Sequence, residues 1–116
     1  IIFFDFVREP LKLLAQANCL LMCSKHEGFG RVTVEAMTYG KPVIGFDSSG
    51  TKEIILNQKT GLLYRESAPE LAECMEKLIN DQKFAYELGQ EGIRRVEEKF
   101  MLEDYANNIF KILKNI

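Results

Sequence analysis

CLLMCSKHEGFGRVTVEAMTYGKPVIGF, residues 19–46, reads as a strand, a glycine-rich turn, a helix and a second strand. Cys19-Leu20-Leu21-Met22-Cys23 is apolar throughout, which predicts a strand covered on both faces of a parallel sheet. Glu27 to Gly30 make the turn. From Arg31 to Tyr39 the residues Val32, Val34, Ala36 and Met37 suit a buried helix, and Gly40 stands where a carboxyl-terminal cap is usual. Pro42 to Phe46 is then the next strand. A strand, a helix and a strand in this order form a parallel crossover unit.

On the amino side, Ile1 to Val7 predicts a further strand, and Pro10 to Gln16 a short helix with Leu11, Leu14 and Ala15 on one face. On the carboxyl side the polar loop Asp47-Ser48-Ser49-Gly50 leads to a short helix at Lys52 to Leu56. Gly61 to Tyr64 is a weaker strand. Ser67-Ala68-Pro69-Glu70 has capping-box spacing and opens a helix with Ala68, Leu71, Ala72, Met75, Leu78 and Ile79 on one face. Two amphipathic helices follow, one carrying Phe84, Leu88, Ile93 and Val96, the last running from Leu102 to Ile116. The alternation predicts an α/β fold, a doubly wound, Rossmann-like, mostly parallel sheet with helices on both faces. Ligands in that architecture bind beyond the carboxyl ends of the strands, which singles out the loops 24–30 and 47–51.

The first of these loops has the parts of an anion seat. Glycines at 28 and 30 let the backbone approach a ligand closely. The free N–H groups around Arg31 to Thr33, at the positive end of the helix dipole, favour a phosphate. Glu27 at the rim can accept from hydroxyl groups, and Glu35, about one turn inside the helix, can reach another hydroxylated part of the same ligand. A sugar joined through diphosphate to a ribonucleoside has that layout.

Composition narrows the alternatives. The 116 residues suit one domain, 47% hydrophobic and 28% charged, an ordinary globular balance. A net charge of -2, with 15 basic residues and no long basic run, gives no electrostatic ground for a nucleic-acid partner. In a strand Cys19 and Cys23 stand about 13 Å apart and cannot bridge. With Cys74 they read as buried, reduced cysteines of a cytosolic protein. No Cys-x-x-Cys pair, second histidine or Asp-x-Asp motif points to a metal, and no cofactor is expected. No apolar stretch approaches the roughly 20 residues needed to span a bilayer. The opening Ile1-Ile2-Phe3-Phe4 reads as a strand already under way, so residues 1–116 are expected to be a fragment of a longer protein.

The sequence resembles family 4 of the retaining glycosyltransferases of GT-B fold, the glycosyl transferases group 1. Their signature of two glutamates separated by seven residues is matched by Glu27 to Glu35. The likeness covers nearly the whole chain, through Ala17-Asn18, EGFG, VEAM, YGKPVIGF, SGTKEII with Glu53, and TGLLY in order. The resemblance implies a nucleotide-sugar-binding carboxyl-terminal domain whose parent transfers a sugar from a nucleotide diphosphate to an acceptor hydroxyl with retention. It implies that Glu27 is the catalytic-site residue holding the donor sugar, that Gly28, Phe29 and Gly30 line the sugar and phosphates, and that Val32 and Thr33 meet the diphosphate through their backbone. Arg31 joins that group or is a surface charge, and Glu35 binds the ribose. Asp47 and Glu53 either touch ligand or buttress their loop, and His26, Lys25 and Lys52 receive no role. The amino-terminal acceptor domain and a basic phosphate-binding pair would lie outside the chain, so the fragment alone is expected to be inactive. The last helix, with Phe110 and Ile112 on a broad apolar stripe, would cross back to that missing domain. A cytoplasmic enzyme is implied, placed at the inner face of a membrane in its full-length form. The alternatives are a nucleotide-sugar epimerase of the same fold and a non-catalytic binding or assembly module.

Overall fold

The structure is a computed structural model that describes residues 10–23, 31–65 and 67–100. Its elements in chain order are α1 (Pro10–Gln16), β1 (Leu20–Met22), α2 (Arg31–Thr38), β2 (Val43–Phe46), α3 (Ser49–Ile54), β3 (Leu62–Tyr64), α4 (Ala68–Asn80) and α5 (Gln82–Arg95). A π-helical turn, Val96–Phe100, continues α5. The strand expected at Ile1 to Val7 and the helix expected at Leu102 to Ile116 lie outside the described residues.

The three strands are parallel in the order β1-β2-β3, with Leu21 opposite Ile44 and Ile44 opposite Leu62. Side chains alternate between the two faces of a strand, and each face of this sheet has its own core. On the first face Val43, with Leu20, Met22 and Leu63, packs under Leu14 of α1, Ala36 and Met37 of α2, Ile54 of α3 and Val96. On the second, Ile44, Leu62, Tyr64 and Phe46 pack under Leu71, Cys74 and Leu78 of α4 and Phe84, Ala85 and Leu88 of α5. Met37, Ile44, Ile54 and Leu62 are fully buried, each contributing about 2 kcal/mol by removal from water. Gly45 is needed on the first face, because a Cβ there would run into Thr51 and Ile55 beneath α3.

The amino ends of β2 and β3 are closed. Helix α2 stops in a Schellman motif, with Gly40 at φ +72°, its N–H donating to Met37 O at 2.9 Å and Lys41 N–H to Ala36 O at 3.0 Å. Helix α5 begins on the second face, with Asp81 capping it through Phe84 N–H at 3.0 Å. It then passes the Gly40 turn so closely that a Cβ on Gly89 would overlap the Gly40 carbonyl. Its last turn reaches the first face, where the Arg95 guanidinium donates to Ile54 O at 2.7 Å and Glu53 O at 2.9 Å. Arg95 thus satisfies carbonyls that the end of α3 leaves without helical partners.

Several expectations need correction. β1 is shorter than Cys19 to Cys23 and is not covered on both faces, since Leu21 is 39% exposed and Cys23 is exposed. Val32 and Ala15 point to solvent, while Leu14 of α1 is buried. The short helix begins at Ser49 and ends at Ile54, three residues ahead of the expected start at Lys52, because the Ser48 backbone already starts the turn. Ser67 and Glu70 form no capping box. Ser67 makes no side-chain cap, and Glu70 Oε2 instead accepts from Arg65 N–H at 2.8 Å. Met75 and Ile79, expected on the buried stripe of α4, are exposed, because nothing described covers the second face beyond Leu78.

Candidate functional site

At the carboxyl ends the three strands deliver Cys23, Asp47 and Arg65 to one edge. Glu27, Gly28, Phe29 and Gly30, expected to hold the donor sugar and phosphates, lie outside the described residues. Arg31, Val32 and Thr33 form the first turn of α2, with Arg31 and Val32 exposed and Thr33 completely buried. That turn carries no acidic side chain, although carboxylates are favoured at the positive end of a helix. An external anion therefore meets no competing carboxylate in that turn.

Thr33, Ala36 and Met37 share the inward side of α2, so the Thr33 side chain lies between helix and sheet. Its Oγ1 is buried with no hydrogen-bond partner among the described residues, as is Oγ1 of Thr51 on α3. Unmade bonds of this kind cost about 1–3 kcal/mol each, and both occur on helices that follow a carboxyl strand end. Glu35 lies one turn further along α2, half-buried. It lines a hollow of about 280 Å³ between α1, the start of β1 and α2, whose other walls include Leu13, Leu14, Leu20 and Val32. Leu13 and Val32 expose apolar surface beside the carboxylate.

Asp47 belongs to the framework of the edge. Its N–H donates to Tyr64 O at 2.8 Å, and its Oδ2 accepts from Arg65 Nε at 3.1 Å, which joins the loop after β2 to the end of β3. Its other oxygen, Oδ1, is buried without a partner among the described residues. The Arg65 side chain is 80% exposed, which sets a cation on the rim. Sequence reasoning missed Arg65, and its place immediately after a strand was the available signal. Glu53 is exposed on α3, and its backbone carbonyl accepts from the Arg95 guanidinium. Burial pushes the Tyr64 phenol up to about 12, and the neighbouring Cys23 side chain adds to the effect. Burial likewise raises the Cys19 and Cys74 thiols, and all three cysteines are free. Among the described residues there is no cluster of metal-ligating side chains and no helix long and apolar enough to cross a membrane.

A model of the family described as glycosyl transferases group 1 matches residues 1–95. Alpha-1,3/1,6-mannosyltransferase ALG2 of Dictyostelium discoideum is 33% identical over 118 residues, an alignment covering 100% of this chain and 28% of that protein. The crystal structure of the C-terminal domain of a glycosyl transferase group 1 family protein, LpcC, from Francisella tularensis superposes with a TM-score of 0.75 at 29% identity. It covers 86% of this chain and 52% of that one. Anabaena HepE in complex with UDP-glucose gives a TM-score of 0.74 at 26% identity, covering 90% of this chain and 29% of that one. The chain thus spans under a third of the length of ALG2 and HepE. A parallel sheet flanked by helices, the family match over most of the sequence and the likeness to a C-terminal domain of the same group lead to one assignment: this chain belongs to the glycosyl transferases group 1 and has the GT-B fold of their C-terminal domain.

Proposed function

We propose that this chain is the donor-binding part of a longer glycosyltransferase that moves a sugar from a nucleotide diphosphate to an acceptor hydroxyl with retention of configuration. The observation that carries the reading is the first turn of α2, which has free backbone donors and no acid of its own and lies one turn from Glu35. The diphosphate accepts from the N–H groups of Val32 and Thr33, and the dipole of α2 favours its charge. Glu35 accepts from the ribose hydroxyls, and the exposed apolar surfaces of Leu13 and Val32 flank the nucleoside. Glu27 accepts from hydroxyls of the donor sugar, and Gly28, Phe29 and Gly30 complete the sugar and phosphate seat.

As the bond from the sugar to the diphosphate breaks, negative charge builds on the leaving phosphate, and oriented N–H groups stabilise it without reorganising. The acceptor oxygen bonds to the anomeric carbon, its proton passes to the leaving phosphate oxygen, and nucleoside diphosphate departs. The complex of HepE with UDP-glucose supports a uridine nucleotide as the first probe. The acceptor domain and a basic pair on the phosphates belong to other segments of the parent, so residues 1–116 alone do not turn over. Free cysteines fit a cytoplasmic enzyme.

The test is nuclear magnetic resonance of the sugar that the full-length protein releases from UDP-glucose or transfers to an added acceptor. Retained configuration is expected, with Glu27→Gln slowing release about a hundredfold. An inverted product, an epimerised sugar, or indifference to Glu27→Gln overturns the reading.

A further inference from the structure

The carboxyl end of β3 is tied to the elements around it. Tyr64, its last residue, accepts from Asp47 N–H through its carbonyl at 2.8 Å. The next residue, Arg65, donates from its N–H to Glu70 Oε2 of α4, also at 2.8 Å. The Tyr64 ring stands edge-on to Phe46 of β2, with centroids 5.4 Å apart and planes at 82°, an arrangement that aromatic pairs favour. Only 8% of Tyr64 is exposed. A phenylalanine would fill the same space, and a buried hydroxyl is unfavourable unless it finds a partner.

The strand register says where that hydroxyl points. Leu20 and Met22 pack on the first face, which turns Cys23, directly after β1, to the second face with Phe46 and Tyr64. Met22 is opposite Gly45 and Phe46 is opposite Tyr64, so Cys23 lies two strands from Tyr64. Their backbones are then about 10 Å apart. The two side chains bridge that gap past Phe46, where the phenol has Cys23 as its neighbour, with Cys74 of α4 also close. Cys23 is exposed and immediately precedes residues 24–30, which lead into α2.

We infer that Tyr64 is a positioning residue of the donor site: its hydroxyl fixes the Cys23 side chain while its carbonyl fixes Asp47, so one residue sets the spacing of the chain segments that leave β1 and β2. The inference rests on the donor reading, because the segment leaving β1 carries Glu27. Tyr64 acts through Cys23 and not by touching sugar or phosphate. The contacts that α2 makes to ribose and diphosphate do not pass through it. Loss of the hydroxyl therefore impairs use of the sugar donor more than binding of the free nucleotide.

Sugar release from UDP-glucose by the full-length protein, beside calorimetry with UDP, tests it. Tyr64→Phe keeps the ring against Phe46 and removes the hydroxyl. Its kcat/KM for UDP-glucose is expected to fall about tenfold while UDP affinity stays within about twofold. Cys23→Ala is expected to give the same fall and the double variant no further one, whereas Cys23→Ser, which restores an acceptor, regains most of the activity. Unchanged kcat/KM in Tyr64→Phe, losses that multiply in the double variant, or an equal loss of UDP affinity overturns the proposal. If Tyr64→Phe does not fold, unchanged kcat/KM in Cys23→Ala overturns it alone. An unaltered protein that neither binds UDP nor uses UDP-glucose refutes the donor reading itself, whereas an active one indifferent to Tyr64→Phe refutes only the role of Tyr64.

Discussion

The two ends of the sheet differ in how completely their polar groups are satisfied. At the amino ends the Gly40 turn is closed by its own hydrogen bonds, Gly89 packs on it in direct backbone contact, and Arg95 takes up the last carbonyls of α3. At the carboxyl ends Thr33 Oγ1, Thr51 Oγ1 and Asp47 Oδ1 are buried without partners among the described residues, and the first turn of α2 has no acid to meet its dipole. One end is built for stability. The other retains unsatisfied groups in the place where this architecture receives ligands.

If that contrast is right, substitutions at the amino end should cost stability without touching ligand. Gly89→Ala drives a methyl into the Gly40 carbonyl and is expected to lose about 3 kcal/mol in denaturant unfolding. A loss below about 1 kcal/mol would show that α5 does not seal this end. Arg95→Ala strands the carbonyls of Glu53 and Ile54 and should lose about 2 kcal/mol, with nucleotide affinity unchanged. Weakened nucleotide binding in that variant would mean that the two ends are not separate.

The carboxyl end should respond with the opposite sign. Thr33→Val replaces an unpartnered hydroxyl by a methyl of the same shape and is expected to stabilise the ligand-free chain by about 1 kcal/mol. Destabilisation would show that the hydroxyl has a partner in solution. A pH-dependent effect concerns Tyr64. Its phenol rises from 10.0 to about 12 in the fold, so between those values the folded chain keeps a proton that the unfolded chain has lost. Its contribution is fully present below pH 10 and fades as pH climbs towards 12. The difference in unfolding free energy between the parent chain and Tyr64→Phe, followed over that window, should shrink with rising pH, and a constant difference would contradict this.

Local patterns carried much of the fold. Gly40 marked the end of α2, the run ending at Phe46 marked a buried strand, and Leu71 and Leu78 marked the inward side of α4. What escaped was set by partners distant in sequence. Leu21 and Ile79 have the apolar character of covered positions, yet periodicity does not reveal whether the covering element is present. Arg95 has no local signal as a cap, because its partners lie 41 and 42 residues away. Glu70 fitted a capping box by spacing and instead turned back to Arg65, and Asp81 capped α5 without being noticed. At the site, the glycine loop suggested the anion seat, and Glu35 lies one turn into the helix as the spacing required. The Asp47 to Arg65 link joins two strand ends 18 residues apart and needed the fold to be seen.

Calorimetric titration of UDP into the full-length protein, beside its Glu35→Ala variant, tests most directly whether α2 holds a nucleotide by its first turn and its glutamate. Binding by the unaltered protein, weakened about tenfold by Glu35→Ala through loss of the ribose contact, is the expected result. Equal affinity in the two proteins, or no heat of binding in either, would contradict it.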